Sequence, residues 1–182
     1  MRPMPDWLKP SARVDLALVL ARTRDVLRSD LGAPADLSAI AKFARRYGLF
    51  AAKDPDGFIA LSRRPGLGRR LLALDAAPDE HVMPLGRLLG YPPCCCRAAR
   101  RVGEDQLDVW AARPRRHIGR YRLIDVSSYD TGEALVSHIP CSAACRASLK
   151  IARTLAASDW SPTRFSSAKR LRSGRRGCRP LS

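Results

Sequence analysis

Long apolar runs are missing from this chain. The most apolar early stretch, residues 14–21, contains Asp15 and runs straight into Arg22, Arg24 and Asp25, far short of the roughly 20 apolar residues that a membrane-spanning helix requires. The opening, Met-Arg-Pro-Met-Pro-Asp-Trp-Leu-Lys-Pro, lacks the apolar centre of an export signal. A soluble, cytoplasmic protein with no membrane partner is expected. Aromatic residues are scarce at 6%, which leaves few platforms on which single-stranded bases can stack. There is no phosphate-binding glycine loop, dinucleotide fingerprint or Ser/His/Asp order, so no enzyme of a familiar class is supported.

Acidic residues are also in short supply. Against 33 Lys and Arg there are 17 Asp and Glu, for a net charge of +16. Part of this excess belongs to the last twenty residues, which carry seven Lys/Arg and no acid. Such charge makes nucleic acid a candidate partner, through Arg-rich segments 97–101, 113–122 and 164–179 that would neutralise phosphates. Arg outnumbers Lys 28 to 5, a skew that coding bias also produces, so charge alone does not establish recognition.

At 182 residues with 46% apolar content, the chain is long enough for one compact domain. Residues 1–162 are read as that domain and 163–182 as a basic, disordered tail with too little apolar content to bury. The pattern predicts a mainly helical α+β fold with a small β-sheet. Ser11 and the apolar spacing from Val14 to Leu31 predict a helix over 11–30. Asp36 as cap and Gly48 as terminator bound a second helix. Two short apolar runs around 53–57, with Pro55 and Gly57, predict a β-hairpin over 49–62. Helices are expected over 69–76, 78–89, 97–113 and 141–157, and two further strands over 121–126 and 134–139.

The remaining signal is cysteine. Six are present, and in a reducing compartment paired thiols are more often metal ligands or redox groups than disulfides. Leu88-Leu-Gly-Tyr-Pro-Pro-Cys-Cys-Cys96 places cysteines just after a proline-restricted backbone, hence at a helix start, where amides and the helix dipole favour thiolate. Ser137-His-Ile-Pro-Cys-Ser-Ala-Ala-Cys-Arg-Ala-Ser148 repeats the device, with Cys145 expected one turn beyond Cys141 on the same helix face. His138, Cys141 and Cys145 are expected to converge, with one or two of Cys94, Cys95 and Cys96 completing a four-ligand site for zinc or an iron–sulfur cluster. Cys178, in the tail, is read as incidental. His81 and His117 are more simply an exposed or capping side chain and part of a solvated basic loop.

These two stretches together resemble an uncharacterised prokaryotic family, a domain of unknown function marked by a Leu-Gly-Tyr-Pro-x-Cys-Cys signature. The resemblance covers roughly residues 80–155. It implies that Gly90, Tyr91, Pro92, Cys94, Cys95, His138, Pro140, Cys141 and Cys145 act as one constellation, and it brings no activity with it. Three functions fit the residues. The first is a metal-binding protein. The second is a cysteine-dependent redox or sulfur-transfer enzyme, using Cys95 or Cys141 with His138 as base. The third is a metal-stapled nucleic-acid-binding module.

Overall fold

A computed structural model describes residues 5–112 and 123–160. The expected basic tail, His117, Cys178 and the basic connection 113–122 lie outside the described residues. The fold is mainly helical, with a small antiparallel sheet.

The first helix, α1 (Ala12–Leu20), is shorter than its apolar spacing predicts. Arg22 adopts a left-handed backbone with φ of 58°. The Thr23 N–H returns to the Leu18 carbonyl at 3.0 Å and the Arg22 N–H to that of Val19 at 3.1 Å. This is the paired-bond ending usually built on glycine. The expected helix over 11–30 is corrected accordingly: its second half is strand β1 (Val26–Asp30). Val26 and Leu27 face opposite sides of the sheet, and each reaches a separate apolar cluster. Pairing in the sheet therefore outweighs the helical spacing.

The second helix, α2 (Leu37–Arg46), follows its sequence signals. The Asp36 carboxylate accepts from the Ala39 N–H at 2.6 Å, and Gly48, at φ of 67°, ends it. Strands β2 (Phe50–Lys53) and β3 (Phe58–Ser62) form the predicted hairpin. Its turn is held by the Phe58 N–H donating to Asp54 Oδ1 at 2.8 Å. The strand order is β1-β3-β2, and the register sets Leu27 and Ala51 on either side of Leu61.

Both sheet faces are covered, which explains the nearly continuous apolar run of β3. On one face Leu27, Ile59 and Leu61 pack with Leu16 and Val19 of α1 and Ile40 and Phe43 of α2. On the other, Val26 and Ala60 pack against α3 (Leu67–Asp75) and α4 (Pro78–Leu88) through Leu71, Leu72 and Leu89. Helix α4 departs from helical geometry at His81, one turn before Pro84, whose ring displaces a preceding carbonyl.

Helix α5 (Pro93–Val102) follows a reversal at Gly90 and stops at Gly103. A 3-10 turn, Glu104–Gln106, leads into the short α6 (Leu107–Ala112). The single helix expected over 97–113 is thus broken at its glycine. The final helix, α7, runs from Arg146 to Ala157. The two strands expected in the C-terminal part do not form among the described residues: 123–126 and 134–139 are irregular. Their branched side chains serve the interior instead. Ile124 and Val136 are fully buried beside Cys95, Cys145 and Leu149, while Ala134 and Leu155 cover Val14 and Leu18 of α1. No helix among the described residues is long and apolar enough to cross a membrane.

Candidate metal centre

Gly90 sets up the first half of the site. It ends α4 at φ of 73°, and a Cβ there would lie 2.9 Å from Arg24 Cβ, so both the backbone and the close approach demand glycine. Pro92 then takes an extended conformation and Pro93 opens α5, the position where its missing N–H is harmless. Cys94, Cys95 and Cys96 fall in the first helical turn, as the sequence predicts. Successive positions there point in different directions. Cys96 turns away, toward the Tyr91 carbonyl at 3.8 Å and toward Gly86 of α4, where a Cβ would sit 2.6 Å from its sulfur.

The second half is a tight turn rather than helix. Residues 141–145 precede α7, and Cys145 is its N-cap residue. The expectation that Cys141 and Cys145 share a helix face is therefore corrected. The turn folds back on itself, with the Cys145 N–H donating to the Ser142 carbonyl at 3.2 Å, and this brings both sulfurs to one point.

The sulfurs of Cys94, Cys95, Cys141 and Cys145 all lie within 4.8 Å of one another. Cys94 and Cys95 are 3.9 Å apart, and each is 3.7 Å from Cys145. Four thiolates bound tetrahedrally at about 2.3 Å from one ion have sulfurs separated by about 3.8 Å, so these spacings suit a single ion. Cys95 and Cys145 are buried, and Cys94 and Cys141 are half-buried. The Cys141 N–H donates to Cys95 Sγ at 3.4 Å. The starts of α5 and α7 also face the cluster, and both favour the negative charge that four thiolates carry.

His138 is not a member of this four-sulfur set. It stands behind it: His138 Nε2 is 2.8 Å from Ser148 Oγ, and that oxygen is 3.5 Å from Cys95 Sγ. Ser148 is fully buried and His138 is 5% exposed. Burial, and then the nearby Arg24 cation, hold the imidazole neutral, with its pKa lowered to about 3. Arg24 is itself buried. It donates to Asp15 Oδ1 at 2.5 Å and to Ser137 Oγ at 2.8 Å, and the Tyr129 hydroxyl donates to Asp15 Oδ2 at 2.6 Å. Sequence spacing gives no sign of this network, although Ser148 is three positions beyond Cys145 and so one helical turn along.

Without metal the thiols differ. Burial pushes Cys145 up, but hydrogen bonds from the Ser148 hydroxyl and N–H and from Cys141 and Cys94 outweigh it and bring its pKa down to about 7. Burial first, and then Cys145 and Cys94, push Cys141 up to about 11. Burial also raises Cys95 and Cys96. A bound cation would reverse this order for its ligands, because coordination removes the proton outright.

His81 is half-buried at the α4 kink and outside the cluster. Of the basic segments, Arg97, Arg100 and Arg101 are exposed on α5, while 113–122 and 164–179 lie outside the described residues. No family model, curated protein or solved structure matches the chain. The chemistry of the site therefore rests on its own geometry.

Proposed function

We propose that this protein binds one zinc ion through Cys94, Cys95, Cys141 and Cys145, and that the ion clasps the C-terminal segment onto the helical body. The spacing of the sulfurs carries the reading. The separations of 3.7 and 3.9 Å among Cys94, Cys95 and Cys145, with Cys141 within 4.8 Å of each, suit a single tetrahedral ion, whereas an iron–sulfur cluster distributes its cysteines over separate irons and spreads the sulfurs further. Zinc is the ion of choice for a closed four-thiolate set, and such sites contribute folding energy directly. Membership of the family with the Leu-Gly-Tyr-Pro-x-Cys-Cys signature is part of the same proposal.

The thiol-enzyme reading draws less support. It asks His138 to act as base, but Nε2 is engaged by Ser148, and the Cys95 and Cys141 thiols are pushed up rather than activated.

The test is elemental. Full-length protein produced with both zinc and iron supplied, and purified without oxygen, is analysed for metal and acid-labile sulfide. One colourless zinc per chain is expected. Brown protein with matching iron and sulfide overturns the single-ion reading, and folded, reduced protein with no metal overturns both.

A further inference from the structure

Helices α4, α5 and α6 and residues 137–139 surround a half-enclosed cavity of about 370 Å³ that borders the cysteine centre. Small-molecule sites span about 300–1,000 Å³, whereas ordinary interiors leave few voids larger than a water molecule. The two ends of the cavity differ. Helices α4 and α5 join at residues 89–92, and the lining residues nearest that join, Leu89, Cys95 and Cys96, are buried. Toward the other end Val82 and Leu107 are half-buried and Arg100 is exposed. The cavity thus deepens from a mouth at Arg100 to an apolar floor at the join.

The polar groups of the floor are already engaged. Ser137 Oγ accepts from Arg24 Nη2 at 2.8 Å and is also the hydrogen-bonding neighbour of the Tyr91 hydroxyl. His138 Nε2 is 2.8 Å from Ser148 Oγ, its Nδ1 is covered, and its ring lies beside that of Tyr91 with centroids 5.3 Å apart. Arg100 is different. It makes no ion pair among the described residues, and no acid lines the cavity. Asp105, next to Gly103 near the mouth, is exposed and accepts from Gln106 Nε2 at 3.3 Å. Arg97 and Arg101, exposed on the same helix, add to the positive field. One unpaired guanidinium, a planar fork of donors, suits a single carboxylate. From Cys96 to Arg100 the helix advances about 6 Å, which sets the least length of apolar body between floor and charge.

We infer that the cavity binds a small apolar monocarboxylate, with its hydrocarbon body against Leu89, Cys95 and Cys96 and its carboxylate paired with Arg100 at the mouth. The arrangement follows from where the wall is buried and where its one unpaired cation stands. It needs no proton or movement of His138 and no charge on Cys95, so it stands apart from the metal reading.

The experiment uses full-length protein at neutral pH and low ionic strength, with metal content and helical circular dichroism recorded for every sample. The probes are matched sets: octanoate with 1-octanol and octylammonium, and 3-phenylpropanoate with 3-phenylpropanol and 3-phenylpropylammonium. Calorimetry should show at least one carboxylate binding one per chain, about fivefold or more tighter than its alcohol, with the ammonium weakest. Arg100→Gln, a change at an exposed position, should abolish the preference and leave the alcohol's affinity as it was. Ala99→Trp, which fills the cavity from α5, should weaken carboxylate and alcohol alike by about tenfold or more, and Leu85→Trp serves the same purpose if Ala99→Trp does not fold. No binding by either carboxylate, equal binding of carboxylate and alcohol, a preference that survives Arg100→Gln, or binding untouched by the filling variants overturns the inference and leaves the zinc site standing. Absence of zinc from folded protein that still prefers the carboxylate overturns the metal reading alone.

Discussion

The guanidinium of Arg24 meets the carboxylate of Asp15 at 2.5 Å, with side-chain exposures of only 2% and 5%. This pair joins the turn after α1 to the helix itself, and through Ser137 and Tyr129 it reaches the segment that carries His138. Removing one partner of a buried ion pair leaves the other charge without compensation, a loss of about 3–5 kcal/mol. Asp15→Asn is expected to destabilise the protein by that amount in urea denaturation. Tyr129→Phe, which removes one hydrogen bond to a charged group, should cost about 1.5–3 kcal/mol. Equal, small effects of the two would show that the pair does not hold the turn.

Five neighbouring cysteines are expected to divide four to one. Serine at Cys94, Cys95, Cys141 or Cys145 should lower zinc affinity about 100-fold or more, while Cys96→Ser should retain full metal content. Ser148→Ala leaves all four sulfurs in place but removes the hydroxyl beside Cys95, and outer partners of this kind contribute about 10–100-fold. Competition with a chromophoric chelator measures all six variants on one scale. Zinc lost equally from Cys96→Ser would redraw the ligand set.

Gly86 and Cys96 should behave as a coupled pair. A methyl group at residue 86 would sit 2.6 Å from the Cys96 sulfur, and overpacking of this kind costs about 1–3 kcal/mol. Gly86→Ala is expected to destabilise by that much, and Cys96→Ala in the same chain should recover part of it. Thermal melts of the two singles and the double close the cycle. Strict additivity would mean that α4 does not press on α5 at this point.

Acid should weaken the fold through His138. Its folded pKa is lowered to about 3, below the unfolded value of about 6.5. Above pH 6.5 both states are neutral and the residue has no pH-dependent effect. As pH falls from about 6.5 toward 3, the unfolded chain takes up a proton that the folded one refuses, and stability declines by up to about 1.4 kcal/mol per unit. His138→Gln lacks this titration. Denaturation of both proteins between pH 7 and 5, in saturating zinc, should show a shallower decline for the variant, because zinc release is common to the two. Parallel profiles would mean that the imidazole is not held neutral.

Local signals were legible and remote ones were not. Asp36 and Gly48 bound α2 because capping is decided within a few residues. The two Pro-Cys starts identified the segments that meet because proline constrains its own neighbourhood. The strand at 26–30 is hidden because α1 ends at Arg22, where a glycine would announce the break, and because its pairing partners run from Asp30 with Phe58 to Val26 with Ser62, far away in sequence. The strands expected over 121–126 and 134–139 do not form among the described residues for the reverse reason: Ile124 and Val136 have the branched side chains of strands, but they, and Ala134 with them, are buried by the cysteine cluster and by α1. Proximity in sequence groups His138 with the cysteines, but its placement behind Ser148 depends on a ring direction that spacing does not encode.

Cys95 precedes Cys141 by 46 residues, and every strand of the sheet precedes them both. A chain leaving the ribosome can complete its sheet and flanking helices while two thiols at the start of α5 still have no counterparts. Until the last portion is made, Val14 and Leu18 lack their cover from Ala134 and Leu155. On the zinc reading, assembly would have two stages, the second beginning only when the final pair of thiols has emerged, so that metal supply during synthesis would set the yield.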